Sequence, residues 1–159
     1  MTMKYYPINL NIKDKLCVVI GGGRVAERKV KNLLHCGGRV RVISPDLTDR
    51  LSKWVSQGKM DYTRSEYRSS HLEGAFLVYA ATSDRKVNAE IARDAAKRRV
   101  LVNVADSAKD STFILPAVFR KREISIAVST NGLSPATSVR VRDRIKEFIE
   151  KEKLAKTER

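Results

Sequence analysis

The sequence predicts an α/β protein: a parallel, doubly wound sheet followed by a small hairpin-plus-helix segment. Three observations carry this. Short apolar runs alternate with amphipathic stretches of helical length up to Asp106; the first junction is the glycine-rich VVIGGGRVAERK, Val18 to Lys29; and the alternation stops after Asp106. Parallel neighbours need a crossover that is usually a helix, so regular alternation selects a parallel sheet over a meander.

Leu16 to Ile20 reads as a buried strand. In RVAERKVKNLLHCGG, residues Val25, Ala26, Val30, Leu33 and Leu34 fall at helical spacing before Gly37 and Gly38 stop the helix. RVRVIS, Arg39 to Ser44, alternates as a second strand. Asp46 to Lys59 puts Leu47, Leu51, Trp54 and Val55 on one helical face, and MDYT supplies a third strand. Ala75 to Thr82 is a fourth strand, Asp84 to Arg99 a helix, and Val100 to Asp106 a fifth strand. Beyond it, Ser111 to Thr130 holds two strand-like runs around the charged RKRE with no helix between, which is the pattern of an antiparallel hairpin. NGLSPATS then leads through Ser134 and Pro135 into a last helix, roughly Ala136 to Ala155, with KTER fraying after it. The expected division is residues 1–110 and 111–159, with the break near Ser107 to Thr112.

A chain of 159 residues can bury a proper core. No apolar run approaches the roughly 20 residues of a membrane span, and MTMKYYPINL lacks the apolar region and cleavage site of a secretory signal. A cytoplasmic protein without membrane contact is expected. Cys17 and Cys36 have no CxxC partner and no His/Cys cluster, so both are expected as buried free thiols, and no metal site is expected. His35 and His71 are isolated, which suits structural or surface roles. The net charge of +14 calls for an anionic partner, but charge alone does not separate nucleic acid, membrane phosphates and a small polycarboxylate. With no nucleic-acid motif and no aromatic platform in the chain, nucleic acid is the weakest of these.

Gly21-Gly22-Gly23-Arg24-Val25-Ala26 fits G-x-G-x-x-A between the first strand and the first helix. Gly21 allows the tight turn, Gly23 lets the backbone approach a pyrophosphate, and Ala26 lets the helix pack closely on the strand. Helix N–H groups at Arg24 and Val25 then face the phosphates. The end of the second strand should read the adenosine ribose, and it offers Ser44, Pro45 and Asp46. Asp46 suits the ribose hydroxyls of NAD, while Ser44 and Arg24 leave room for a 2′-phosphate, so NAD is expected with NADP open.

GGGRVAERK, AATSDRKVN (Ala80 to Asn88), VNVAD (Val102 to Asp106), FILPA (Phe113 to Ala117) and VSTNGLSP (Val128 to Pro135) occur in this order. Together, from about Tyr6 to Phe148, they resemble the precorrin-2 dehydrogenase family, the NAD-dependent part of sirohaem synthases. The resemblance implies a Rossmann-like core, oxidation of precorrin-2 to sirohydrochlorin with NAD as hydride acceptor, and a homodimer joined through the second segment. Some members also insert ferrous iron. Asp106 matches the family's catalytic aspartate. Ala81, Thr82 and Asn88 match its cofactor-side loop, and Asn103 with Ser129, Thr130, Asn131 and Gly132 match positions near the tetrapyrrole.

Asp106 also lies where doubly wound folds place ligands, at the C-terminal end of a strand. A carboxylate there could take the proton a dehydrogenation releases, orient substrate, or only begin a turn. The implied substrate carries eight carboxylates, a specific use for the basic excess; Arg120, Lys121, Arg122, Arg140 and Arg144 are candidates to meet it or a partner subunit. Many members continue into a further helical domain, so the cleft is expected to be more open here or completed by the dimer partner. Iron insertion has no His or Cys cluster to support it, but Asp106 could still accept protons from the macrocycle during metal insertion, so that activity stays open. The rival from another class is a regulatory module that senses NAD or NADH without chemistry.

Overall fold

The computed structural model describes residues 5–151. The chain divides into two compact units, Pro7–Phe113 and a second unit holding Tyr5, Tyr6 and the residues from Ile114 onward.

The first unit contains five strands, β1 (Leu16–Ile20), β2 (Arg39–Ser44), β3 (Asp61–Arg64), β4 (Leu77–Ala80) and β5 (Leu101–Val104). They form one sheet in the order β3-β2-β1-β4-β5, with every neighbouring pair parallel. This is the Rossmann-like α/β architecture, and the strand order reverses between β1 and β4, where such folds bind ligands. The helices are α1 (Arg24–His35), α2 (Asp49–Ser56) and α3 (Arg85–Arg98), with a short 3-10 turn at Ser69–Leu72.

All five residues of β1 are buried, as a central parallel strand requires, since helices cover both its faces. Alternate residues serve two cores. Cys17, Val19, Val42 and Tyr79 pack with Ala26, Val30 and Leu33 of α1 and Leu51 of α2. Val18, Ile20, Val78 and Val102 pack with Ile91 and Ala95 of α3 and with Leu72. The end of α1 and the starts of α2 and α3 are chemically closed. Gly38 N donates to Leu33 O at 3.0 Å and Gly37, at φ 74°, to Leu34 O at 3.1 Å, finishing α1. The Thr48 hydroxyl accepts from Leu51 N, and the Asp84 carboxylate accepts from Lys86 N and Val87 N.

Several sequence expectations shift. Val25, expected on the apolar face of α1, is exposed, because it sits in the first turn beyond the sheet edge. Asp46 and Leu47 belong to a turn instead of α2: Thr48 N donates to Gly22 O, and Thr48 begins the helix as its cap. Cys17 is buried but Cys36 is exposed, since it lies just past the end of α1. His71 Nδ1 accepts from Arg68 N at 3.0 Å, and partial burial, followed by the Arg68 and Arg41 charges, holds its pKa below the ordinary value.

Instead of ending near residue 110, the first unit runs to Phe113 because residues 111–113 are bonded along β5. Val102 N donates to Thr112 Oγ1 and Thr112 N to Val102 O, both at 2.8 Å, and Val104 N donates to Ser111 Oγ at 2.8 Å. Asn103 Nδ2 donates to Phe113 O at 3.0 Å.

In the second unit, β6 (Ala117–Lys121) and β7 (Ile124–Val128) pair antiparallel, with Lys121 opposite Ile124. The turn is Arg122-Glu123 alone, with Arg122 at φ 51°, while Arg120 and Lys121 belong to the strand. FILPA contributes only Ala117 to a strand. α4 (Pro135–Lys151) packs on this hairpin; the expected end at Ala155 and the fraying KTER lie outside the described residues.

Candidate functional site

Three loops of the first unit gather at one edge of the sheet. The registers Ile20↔Ala80 and Ala80↔Val104 bring the ends of β1, β4 and β5 level. Gly21, Ala81 and Ala105 extend these ladders, donating to Ile43 O, Ile20 O and Ala80 O at 2.9 Å each.

The glycine turn divides its work among three positions. Gly21 has φ 116°, and a Cβ there would collide with the Ala81 carbonyl. A Cβ on Gly22 would collide with Asp46 O and lie 2.8 Å from Ser44 Oγ. Gly22 is thus a second structural glycine that the G-x-G-x-x-A pattern leaves unspecified. At Gly23 a Cβ would meet nothing within 4 Å. No side chain caps α1 at that point, so the first N–H groups of the helix face open space at its positive end. A helix start of this kind is able to hold an anion such as a pyrophosphate. Arg24 and Val25 are exposed beside it.

At the end of β2, Ser44 is buried and its hydroxyl faces Gly22, so it does not offer the open 2′-phosphate site expected for it. Pro45 and Asp46 are exposed. The Asp46 carboxylate is 88% exposed and lies 3.7 Å from Arg64 Nη2. Arg64 Nε also donates to Pro45 O at 3.1 Å, and Tyr62 Oη donates to Ser44 O at 3.0 Å. Arg64 and Tyr62 come from β3 and had no local sequence signal.

Asn88, only 1% exposed, organises the other side. Its Oδ1 accepts from Thr82 N at 3.2 Å and Thr82 Oγ1 at 2.8 Å, while Nδ2 donates to Thr82 O at 3.1 Å and Asp106 Oδ1 at 3.2 Å. Its hydrogen-bonding capacity is spent inside the protein. Expected to touch cofactor, Asn88 instead fixes the Ala81-Thr82 loop and Asp106 relative to each other. The second Asp106 oxygen accepts from Arg85 Nε at 3.3 Å. Arg85, Asn88, Ala89, Val104, Asp106, Ser107 and Asp110 line a cleft of about 210 Å³.

Asn103 is not in that cleft. It is buried, accepting from Lys29 Nζ at 3.2 Å. Lys29, on α1, is itself buried at 9% exposure, with Nζ 5.0 Å from the Tyr79 ring centroid. Burial, then the Arg28 charge, lowers its pKa to about 8. Ser129, Thr130, Asn131 and Gly132 lie in the second unit and form a turn with Asn131 and Gly132 at positive φ. The Thr130 hydroxyl accepts from Ser134 N and donates to Ser134 O, both at 3.0 Å, leaving Ser129, Asn131 and Gly132 as the exposed positions. Among the described residues, no group of three or more His, Cys, Asp or Glu side chains is placed to hold a metal ion.

A reversing parallel sheet, a glycine turn without a side-chain cap after β1 and a carboxylate just past the end of β5, two strands along, define a dinucleotide-binding protein of the Rossmann type. Residues 8–117 match the family model described as "Putative NAD(P)-binding", and residues 122–147 match "Sirohaem biosynthesis protein central". The chain belongs to this NAD(P)-binding family, in the group formed by sirohaem synthases and precorrin-2 dehydrogenases. The siroheme synthases of Photobacterium profundum and Nitrosococcus oceani are each 38% identical to it over 147 residues, 92% of this chain and 31% of theirs. The chain therefore spans about a third of the length of these curated relatives. A solved structure titled "SirC, precorrin-2 dehydrogenase" superposes with a TM-score of 0.81 at 29% identity, covering 91% of this chain and 71% of that one.

Proposed function

We propose that this chain oxidises precorrin-2 to sirohydrochlorin with NAD as the acceptor, working in the cytoplasm as a homodimer. The observation that carries the reading is the Asp106 carboxylate, held by buried Asn88 on the same sheet edge as the open glycine turn. The names of the relatives support the substrate.

The residues fit the cofactor. The empty space at Gly23 and the uncapped start of α1 suit a pyrophosphate, and bound NAD supplies the hydride acceptor. Oxidation removes a hydride and a proton from the macrocycle. Asp106 takes the proton on its carboxylate, and Asn88 holds that carboxylate at the end of β5. The exposed carboxylate of Asp46 suits ribose hydroxyls and repels a 2′-phosphate, which favours NAD over NADP. The exposed apolar Val139, Val141 and Phe148 of α4 favour self-association through the second unit. No helix among the described residues is long and apolar enough to cross a membrane.

The test is absorbance at 340 nm with precorrin-2 and either NAD or NADP, without added metal. Appearance of NADH together with sirohydrochlorin supports the reading. Cofactor binding without turnover rejects it in favour of a sensor.

A further inference from the structure

The two oxygens of Asp106 are held in unlike ways. Oδ1 accepts from Asn88, which is buried and bonded on all sides. Oδ2 accepts from Arg85, whose side chain is 84% exposed and bonded among the described residues through Nε alone. One partner is fixed and the other is replaceable. An exposed, single-point ion pair is weak, whereas a guanidinium facing a free carboxylate can form a two-point, charge-assisted pair.

The sequence around Arg85 breaks a local rule. Arg85 and Lys86 occupy the first turn of α3, where the one acid is the capping Asp84 just before them. Cations there oppose the helix dipole. A local preference given up at a cleft marks a functional position, and what two cations at a positive helix end attract is an anion. The cleft offers a single cation to meet it. Its lining holds the carboxylates of Asp106 and Asp110, and Arg85 is its only cationic side chain. At about 210 Å³ it is smaller than the roughly 300–1,000 Å³ of pockets that enclose a drug-sized ligand. It suits an acidic side chain of a larger molecule better than a whole macrocycle.

We infer that Arg85 binds a substrate carboxylate and exchanges Asp106 for it, so that arrival of the substrate releases the Asp106 oxygen that acts as base. This rests on the proposed dehydrogenase reading. Arg85 makes and breaks no covalent bond. The hydride leaves to NAD and the proton to Asp106, while the guanidinium passes from one carboxylate to another and conserves charge.

The test uses the full chain and two probes, uroporphyrin, a porphyrin with eight carboxylates, and its octamethyl ester, titrated by fluorescence. Arg85→Gln is expected to weaken uroporphyrin binding about tenfold while leaving ester binding and NAD affinity unchanged. Asp106→Asn frees Arg85 in advance and is expected to tighten uroporphyrin binding, a gain lost in the double variant. With precorrin-2, Arg85→Gln should raise KM about tenfold with kcat little changed, and Arg85→Lys should recover part of it. Equal uroporphyrin binding by wild type and Arg85→Gln, or none by wild type, overturns the inference. Arg85-dependent uroporphyrin binding with no NAD-dependent oxidation leaves the carboxylate site standing and removes the dehydrogenase reading instead.

Discussion

Lys29 sets burial against charge. The residue is 9% exposed, its ammonium bonded to Asn103, with a pKa lowered from 10.5 to about 8. Below about pH 8 the lysine is protonated in both folded and unfolded chains, and the fold bears the full cost of desolvation. Between that pH and 10.5 the native chain has released a proton that the unfolded chain still holds, so stability rises with pH. The complete change is about 3 kcal/mol. Lys29→Met keeps most of the side-chain length and removes the titration. Cys17, pushed up to about 11 by burial and then by Cys36, and Tyr79, also raised by burial, act in the opposite sense at high pH. Both remain in the variant, so they cancel in the difference. Urea unfolding followed by fluorescence of Trp54, the single tryptophan, which packs on the α1–α2 core, compares the two proteins at pH 7 and pH 10. Wild type should gain about 2–3 kcal/mol on the variant across that interval, a relative midpoint shift of about 1–2 M urea. Stability curves that stay parallel within about 0.5 kcal/mol would refute the claim that this ammonium is desolvated.

The glycines should separate by function. Gly21→Ala collides with the Ala81 carbonyl and should destabilise the fold measurably in thermal melts, whereas Gly23→Ala has open space and should melt like wild type yet bind NAD about tenfold or more weakly by calorimetry. Asn88→Ala removes the bonds to Thr82 and Asp106; a loss of about 2–4 kcal/mol in urea unfolding is expected, together with a fall in kcat exceeding any rise in the NAD dissociation constant. Asp46→Ala should narrow the NAD to NADP ratio of kcat/KM, read at 340 nm. Asp106→Asn should lower kcat for precorrin-2 oxidation by about 10²-fold or more with NAD affinity preserved, and full activity in it would remove Asp106 from the mechanism.

Where structure depends on local chemistry, the sequence was readable. Gly21 and Ala26 between an apolar run and a helical one announce the turn, and Asp84 and Ser134 announce helix starts. The expectations failed where a residue's partner is distant in the chain. Lys29 and Asn103 are 74 positions apart, so neither the burial of the lysine nor the removal of Asn103 from the cleft could be inferred from its neighbours. The G-x-G-x-x-A pattern assigns Gly22 no role because its obstacle, the Asp46 carbonyl, belongs to another loop. The motif drew attention to Asn88, but its four bonds to Thr82 and Asp106 are visible only in the fold. Arg85 left one trace, a cation in the first turn of a helix, and composition offered too many other basic residues for it to stand out.

The hydroxyls of Ser111 and Thr112 along β5 have a consequence for solubility. A five-stranded sheet has two open borders, and exposed backbone there invites a strand from another molecule. On the β5 side, Val102 N and Val104 N already donate to side-chain oxygens, so an incoming strand would have to displace bonds before it gained any. On the other side β3 is four residues long and bears Asp61 and Arg64, which makes it short and charged. Neither border therefore offers a second copy a long, apolar run of unbonded backbone.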